Sequence, residues 1–569
     1  MGEITCARYL LERLQVEGVK YVFGIPGGGV DELSNSFWNL KDLKFILVKH
    51  EQNGAFMATG YAAVSGRPGV VMGTSGPGAW NALAGLDVAY ANSYPVLALC
   101  GETLTKGWGT GGFQDSSGWG PRTPSQAKAF EGCTKWRVTV DVPHKVIDAA
   151  SKAFDAMLLG RKGPVHIQIP VDVQSRTVVA DPPKQMTMPV RTGGDPELID
   201  KAAELLANAS NPAILAGWGV IESGASAELV ELAELLTAPV ATTFRGKGSI
   251  PEDHELALGV SGAMGHDTAN GYLTAENVDV LLAVGAAFSQ QTTLGWKQNY
   301  GGQKIIQVDV DPQGMCRVYN IELGIVGDAK IVLRSLVNKL RQARKARNRE
   351  RLEKISKLKE KMNYYSEPVM SSDAVPIKPP RAISEIRKAL PRDAIVLTDC
   401  GNNCIWVERF YQTYVPGTLI FDGTTHMGWT AAAVIGAKLA APDRPVVTIL
   451  GDGSFTMCCQ DVKTAATYNV PAIWCILDDQ QLGAIRHRQR VMPGRVLERY
   501  ARLDLDNPDF VKFAEAVGVR GERVEKPGEI QPAVKRAIES NRPSVIDIVV
   551  DREEPHPAIE GLAKIVTGK

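Results

Sequence analysis

Short apolar runs and amphipathic stretches alternate along most of this chain. Runs at 21–25, 45–49, 70–73 and 95–100 predict buried strands, and the stretches at 52–65 and 79–91 between them space their apolar residues as helices do. A parallel strand buried on both faces is apolar throughout and needs a crossover helix to reach its neighbour, so this alternation predicts parallel sheets wrapped by helices. A polar, proline-rich run at 174–196 breaks the pattern and predicts a linker with a boundary near 185. The pattern resumes with strands at 213–216, 240–243, 278–284 and 304–310 and a helix at 225–236. Charged residues crowd 341–361 into a polar helix, which Pro368, Pro376, Pro379 and Pro380 then interrupt, and this stretch reads as a solvated connector. Further strands are expected at 394–398, 446–450, 472–477 and 544–549. The fold class is therefore α/β, with three doubly wound parallel-sheet domains at 1–185, 190–345 and 381–569 and a linker at 346–380.

Composition narrows the partners. The 569 residues are 44% hydrophobic, enough for several cores. Sixty-three basic side chains balance sixty-three acidic ones, so no net field favours nucleic acid or an anionic membrane. No apolar run reaches the ~18 residues of a bilayer span, and the first residues lack a basic head followed by an apolar stretch. A soluble, cytoplasmic protein is expected. The nine cysteines are scattered without a Cys-x-x-Cys pair, and Cys458 and Cys459 read as core fillers. Gly217-Trp218-Gly219 follows a predicted strand as a dinucleotide fingerprint would, but the third glycine is misplaced and no acidic strand end follows at the expected distance.

The chemistry concentrates in 445–489. The apolar strand at 446–450 runs into Gly451-Asp452-Gly453, where the backbone must turn sharply and approach a ligand closely. A helical pattern over 454–469 aims its first amides back at that turn, which suits diphosphate oxygens. The next strand ends at Asp478-Asp479-Gln480-Gln481. If the two strands are neighbours in a right-handed unit, Asp452 and Asp479 emerge together at the carboxyl edge of the sheet. Two carboxylates with carbonyl and phosphate oxygens suit a hard octahedral cation such as Mg2+. Gly-Asp-Gly alone is ordinarily just a turn; its pairing with a second acidic strand end carries the reading.

This segment resembles the thiamine diphosphate motif, Gly-Asp-Gly followed at a set distance by Asn-Asn. Its details, Ser454-Phe455, Thr464-Ala465, Leu482-Gly483 and Arg486 with Gln489, resemble acetolactate synthases. The resemblance implies Asp452 and Asp479 as side-chain ligands of Mg2+ and Gln481 as a backbone one. Gly451, Gly453, Ser454, Leu482, Gly483, Ala484 and Ile485 would lie along the cofactor. Asp478-Asp479 departs from Asn-Asn and adds negative charge beside the diphosphate. The resemblance extends over essentially the whole chain. Gly24-Ile25-Pro26-Gly27-Gly28-Gly29, His50-Glu51 and Gly73-Thr74-Ser75-Gly76-Pro77-Gly78-Ala79 with Asn81 resemble that family's pyrimidine-binding domain, which puts Pro26, Gly27, Thr74, Gly76 and Asn81 at the cofactor. Glu51 would set a carboxyl against the pyrimidine ring nitrogen, so that the cofactor's own amine becomes the base. Met427 matches the apolar wedge beneath the cofactor, and Asp399-Cys400-Gly401-Asn402-Asn403 the loop receiving its diphosphate end. Phe113 and Gln114 match residues facing the reacting centre, and His426 is a further catalytic candidate.

Decarboxylases of this family carry a His-His pair in the first domain and an acid just after the metal loop; here 113–120 holds neither histidine and Ile485 takes the acid's place. An apolar neighbour favours acyl transfer to a second carbonyl, or its reverse. The resemblance thus implies a carboligase or lyase acting on a 2-oxo acid, with an aldehyde or acyl-CoA as the other small-molecule candidate. A 2-hydroxyacyl-CoA lyase or oxalyl-CoA decarboxylase type stays open, as does a cofactor-binding regulatory relative without turnover. Phe288-Ser289-Gln290-Gln291 stands where the biosynthetic enzymes carry Phe-Asp-Asp-Arg, Arg488 replaces their indole, and Gly118 to Pro121 resemble an insertion beside the pocket. FAD, a non-redox passenger in those relatives, is implied less directly for the same middle-domain reasons. The family's site lies between two chains, which implies a homodimer or homotetramer.

Overall fold

The computed structural model describes residues 2–185, 191–274, 276–298, 300–343, 346–492, 494, 496–497 and 501–559. Three six-stranded parallel sheets follow one another along the chain. In spatial order the first holds Lys44–Leu47, Tyr21–Gly24, Gly69–Gly73, Val96–Glu102, Val165–Pro170 and Trp136–Thr139. The second holds Ala257–Val260, Val240–Thr242, Pro212–Ala216, Val280–Val284, Lys304–Asp309 and Leu323–Val326. The third holds Leu419–Phe421, Ile395–Thr398, Val446–Gly451, Ile473–Asp478, Ser544–Val549 and Arg520–Val524. Helices interleave with the strands throughout. The first and third sheets share one winding order, in which each sheet's own first and third strands in sequence are neighbours and the direction of progression reverses between them. Ligands of open α/β sheets sit at the carboxyl edge of such a reversal, so each sheet offers a half-site there.

The first and third sheets are joined by a helix seam rather than a loose interface. The helix Glu51–Ser65 starts where the His50 ring accepts from the Gln52 amide and stops at Gly66, whose φ of 67° only glycine adopts freely. It lies against the helix Trp429–Ala440 at backbone contact: a Cβ on Gly60 would come within 2.1 Å of the Ala433 carbonyl oxygen, and one on Gly436 within 1.9 Å of the Met57 oxygen. Trp429 Nε1 donates to Thr59 Oγ1 across the seam at 2.8 Å. Residues of both sheets, Phe23 and Val71 with Ile395 and Trp474 among them, share one hydrophobic core.

The second sheet is tied to the third by a buried charge. Lys247 Nζ donates to both Glu252 oxygens at 2.6 and 2.7 Å, with the two side chains 0% and 1% exposed. Glu252 Oε2 also accepts from Tyr365 Oη and from the Thr413 amide, each at 2.7 Å.

Three expectations need correction. The run at 174–196 is not all linker: Gln174 is buried, bonding Gly29 O at 2.7 Å and Leu33 N at 3.2 Å, and Thr177–Ala180 pairs antiparallel with Gly2–Thr5. The polar helix read as a solvated connector is Arg349–Lys361, docked through buried Ile355 and through Arg351, which donates to the carbonyls of Leu236 and Thr237. The helix expected over 454–469 starts at Asp452 and comes in pieces, Asp452–Cys458 and Val462–Tyr468 around a 3-10 turn at Cys459–Asp461. At that break Asp461 turns toward the first sheet and accepts from Lys49 N at 2.9 Å and Asn53 Nδ2 at 2.6 Å. No described helix is long and apolar enough to cross a membrane.

Candidate active site

At the reversal of the third sheet, Ile395–Thr398 leads into Asp399, while the neighbouring Val446–Gly451 leads into Asp452. Asp399 is buried and accepts from the Gly428 and Thr430 amides at 2.9 and 2.7 Å. It therefore fixes the turn bearing Met427. Two glycines shape the floor beside it. A Cβ on Gly453 would sit 2.9 Å from Met427 Cε and 3.5 Å from Leu482 Cδ2, so Met427 and Leu482 converge over bare backbone. A Cβ on Gly483 would sit 2.4 Å from Asp479 Oδ2 and 3.1 Å from Asn402 Nδ2, which is why the carboxylate can rest there.

Asp452 and Asp479 close the site from neighbouring strands, as the sequence pattern predicts. Burial and then repulsion from Asp479 and Asp478 push the Asp452 carboxyl far above the usual range. Burial likewise raises Asp479, to about 6, with Asp478 adding repulsion. A buried pair of like charges calls for a cation between them. Among the described residues no group of three His, Cys, Asp or Glu side chains is placed to hold a metal, so a cation here would draw its remaining ligands from backbone carbonyl and phosphate oxygens. Asn402 Oδ1 is buried without a partner at the same loop, and a bound group would resolve that deficit. These residues fit a metal and a diphosphate.

The first sheet supplies the other half. Between Tyr21–Gly24 and Gly69–Gly73, Gly29 N donates to Thr74 Oγ1 at 3.0 Å, and a Cβ on Gly27 would press within 2.8 Å of Thr74 Cβ, so the turn after Pro26 lies directly on Thr74. Gly76 has a φ of 68°. Glu51, 6% exposed at its helix start, accepts from Asn81 Nδ2 at 3.0 Å, and its Oε1 lies 2.9 Å from where a Cβ on Gly78 would be. Pro26, Gly27, Thr74, Gly76, Asn81 and Glu51 thus belong to one edge. Gln114 joins them through its backbone, accepting from Ser75 Oγ at 2.7 Å, whereas the Phe113 side chain is 87% exposed in the single chain. Among the described residues no hydrogen bond or ion pair links Glu51 to Asp452 within one chain.

Other candidates are held in structural roles. Asn403 donates to the carbonyls of Asp399 and Ile449 at 2.8 and 3.4 Å, tying two strand ends together, and Ser454 Oγ reaches Cys400 O at 3.5 Å. His487 is held between Asn402 Nδ2, 3.2 Å from its Nδ1, and Arg552 O, 3.0 Å from its Nε2. Ala484 and Ile485 begin the helix Gly483–Val491, with Ile485 exposed.

His426 spans the seam, with Nδ1 3.4 Å from Asp422 and Nε2 3.4 Å from Asp87. Its hydrogen bond to Asp422 raises its pKa above 6.5 against the opposing effect of burial, and Asp87 and Asp399 add attraction. A raised folded-state value means that its stabilisation is complete below the unfolded value of about 6.5 and is lost as pH rises through the folded value. The melting-temperature gap between wild type and His426→Gln should therefore shrink as pH is raised from about 6 to 9; a constant gap in thermal melts would refute this.

Sequence reasoning missed two supports of the site. Glu102, fully buried, accepts from Ser75 Oγ at 3.1 Å, Ser116 N at 3.1 Å and Gln168 Nε2 at 2.7 Å, and so holds the Gln114 loop; an acid closing an apolar strand was the available signal. Asn507 donates to Asp452 Oδ2 at 2.5 Å, and no local pattern marks it.

Two sheet reversals on one chain, with an acid at one and a paired-acid loop at the other, fit an enzyme that uses a coenzyme diphosphate. Family models agree with that class: the N-terminal TPP binding domain of thiamine pyrophosphate enzymes matches residues 4–118, the central domain 199–336, and the C-terminal TPP binding domain 399–548. The chain belongs to the thiamine pyrophosphate enzymes. It is 39% identical to a probable acetolactate synthase large subunit of Methanocaldococcus jannaschii, over 97% of this chain and 93% of that protein. It is 33% identical to the acetolactate synthase large subunit of Corynebacterium glutamicum, over 97% and 87%. It is also 31% identical to glyoxylate carboligase of Escherichia coli O157:H7, over 97% and 93%.

Proposed function

We propose that this chain is an acetolactate synthase-like carboligase that decarboxylates a pyruvate-type 2-oxo acid and passes the acyl unit to a carbonyl acceptor. The carrying observation is the presence of Glu51, oriented by Asn81 at one switch point, and of Asp452 and Asp479 at the other, on a chain matched over 97% of its length by a probable acetolactate synthase large subunit and a glyoxylate carboligase. Bound thiamine diphosphate supplies a nucleophilic carbon and an electron sink. The chain's own residues do the rest. Glu51 holds and returns a proton at the pyrimidine ring nitrogen, and Asn81 fixes the carboxyl that does so. Met427 and Leu482 present an apolar surface over Gly453 that keeps water from the reacting carbon. Asp452, Asp479 and the Gln481 carbonyl would hold Mg2+, which would offset the negative charge of the two acids and of a diphosphate. Residues 1–185 act as the pyrimidine-binding domain and 381–569 as the diphosphate-binding domain, and the lack, among the described residues, of any hydrogen bond or ion pair joining Glu51 to Asp452 within one chain supports completion of each site by a second copy, in a homodimer or homotetramer. No step of this reading draws on FAD.

At Phe288-Ser289-Gln290-Gln291 no cationic side chain is available to read an acceptor carboxylate, which favours an uncharged carbonyl acceptor. Incubation with thiamine diphosphate, Mg2+ and pyruvate, alone or with aldehydes, should release carbon dioxide and form hydroxyketone products. Turnover of formyl-CoA with aldehydes and none of pyruvate would instead establish the acyl-CoA lyase type.

A further inference from the structure

Downstream of the acidic pair, the chain folds back over it. Leu482 N donates to Leu503 O at 2.8 Å and Leu505 N to Gln480 O at 3.1 Å, so a short stretch pairs antiparallel with the metal loop, with Gln481 opposite Asp504. That pairing brings Leu505 Cδ1 within 3.2 Å of where a Cβ on Gly453 would be. Two residues further on, Asn507 Nδ2 bridges Asp452 Oδ2 at 2.5 Å and Asp478 Oδ1 at 3.2 Å. One carboxylate pins the stretch. Arg486 grips Asp504 with two nitrogens, each at 3.1 Å, and Arg552 adds a third contact at 2.5 Å. The same guanidiniums converge on Gln481 Oε1 at 2.5 and 3.1 Å, while Gln481 Nε2 donates to Arg552 O at 2.7 Å. Gln481 is thus held through its side chain, and its carbonyl shares a planar peptide with the Leu482 amide that Leu503 fixes.

We propose that Asp504, bracketed by Arg486 and Arg552, is a positioning residue: it locks Gln481 and clasps the Asn507 stretch over Asp452, and so sets how firmly the divalent cation and its diphosphate are retained. This rests on the reading of Asp452, Asp479 and Gln481 as the cation-holding residues. Without the Asp504 charge, two guanidiniums confront each other across the Gln481 oxygen and the loop opens. Because the Asp504 side chain is 46% exposed, the latch is screened by salt.

The test is a Mg2+ titration of metal-free protein at saturating thiamine diphosphate, followed by tryptophan fluorescence at low and high ionic strength. Asp504→Asn should raise half-saturating Mg2+ about tenfold, within the range seen when residues supporting a metal ligand are lost. It should also lessen the salt dependence shown by wild type, with the melting temperature of metal-free protein unchanged. Arg552→Met should give the same shift, and the double variant no more than either single one, because both act through one latch. If Asp504→Asn fails to fold, Arg552→Met carries the same expectation. Wild-type half-saturation in a folded variant overturns the latch alone. Wild-type protein that takes up no Mg2+ with thiamine diphosphate overturns the site reading as well.

Discussion

Glu51→Gln is expected to cut turnover by about 10²–10⁴-fold, the usual worth of a positioned acid–base group, while thiamine diphosphate still binds. The substitution preserves size beside Gly78 and leaves an oxygen to accept from Asn81, so the pocket keeps its shape. It removes only the ability to hold and return a proton. Parallel measurement of turnover and of cofactor uptake separates the two effects. Unimpaired turnover would mean that the first-sheet half-site plays no part in activation, and loss of cofactor uptake with turnover would mean that Glu51 mainly shapes the pocket.

The second large effect carries opposite signs on binding and on stability. Asp452→Asn should weaken Mg2+-dependent cofactor uptake by at least about 10²-fold, the upper end of what loss of a supporting residue costs. In metal-free protein the same change should raise the melting temperature. Asp452 is buried against Asp479 and Asp478, so near neutral pH folding must either hold its charge against theirs or protonate it, and asparagine removes that cost. Chelation of wild type should mimic the binding defect, reversibly on adding Mg2+. Calorimetric scans with and without Mg2+ and thiamine diphosphate read both effects; a melting temperature that falls in metal-free Asp452→Asn would show that the acids are not in conflict.

Much of this site can be read from residue order alone because its halves follow apolar strands. The strand expected at 544–549 is Ser544–Val549, and those expected at 446–450 and 472–477 differ by a residue at their ends. What escaped has a physical pattern. In the second and third sheets the unanticipated strands, Ala257–Val260, Leu323–Val326, Leu419–Phe421 and Arg520–Val524, are the sheet edges. Edge strands are short and tolerate charge, as Arg520, Glu522 and Arg523 show, so their hydrophobic signal is weak. Glu51, Asp452 and Asp479 are marked by their neighbours in sequence. Asn507 and Asp504 act through contacts between remote segments, which no local pattern encodes, and Glu102 is marked only by closing an apolar strand. The polar helix Arg349–Lys361 misled for a related reason, since Arg351 is buried by bonding to carbonyls rather than by apolar contact.

The Lys247–Glu252 pair has a consequence for how the molecule comes apart. Separating the two while either stays enclosed would strand a bare charge, at a cost of about 3–5 kcal/mol. Because Thr413 and Tyr365 share the same carboxylate, the central sheet cannot peel away from its C-terminal neighbour without exposing all four groups at once. These two regions should consequently melt in a single cooperative transition, and proteolysis should find no nick that releases one as a surviving fragment.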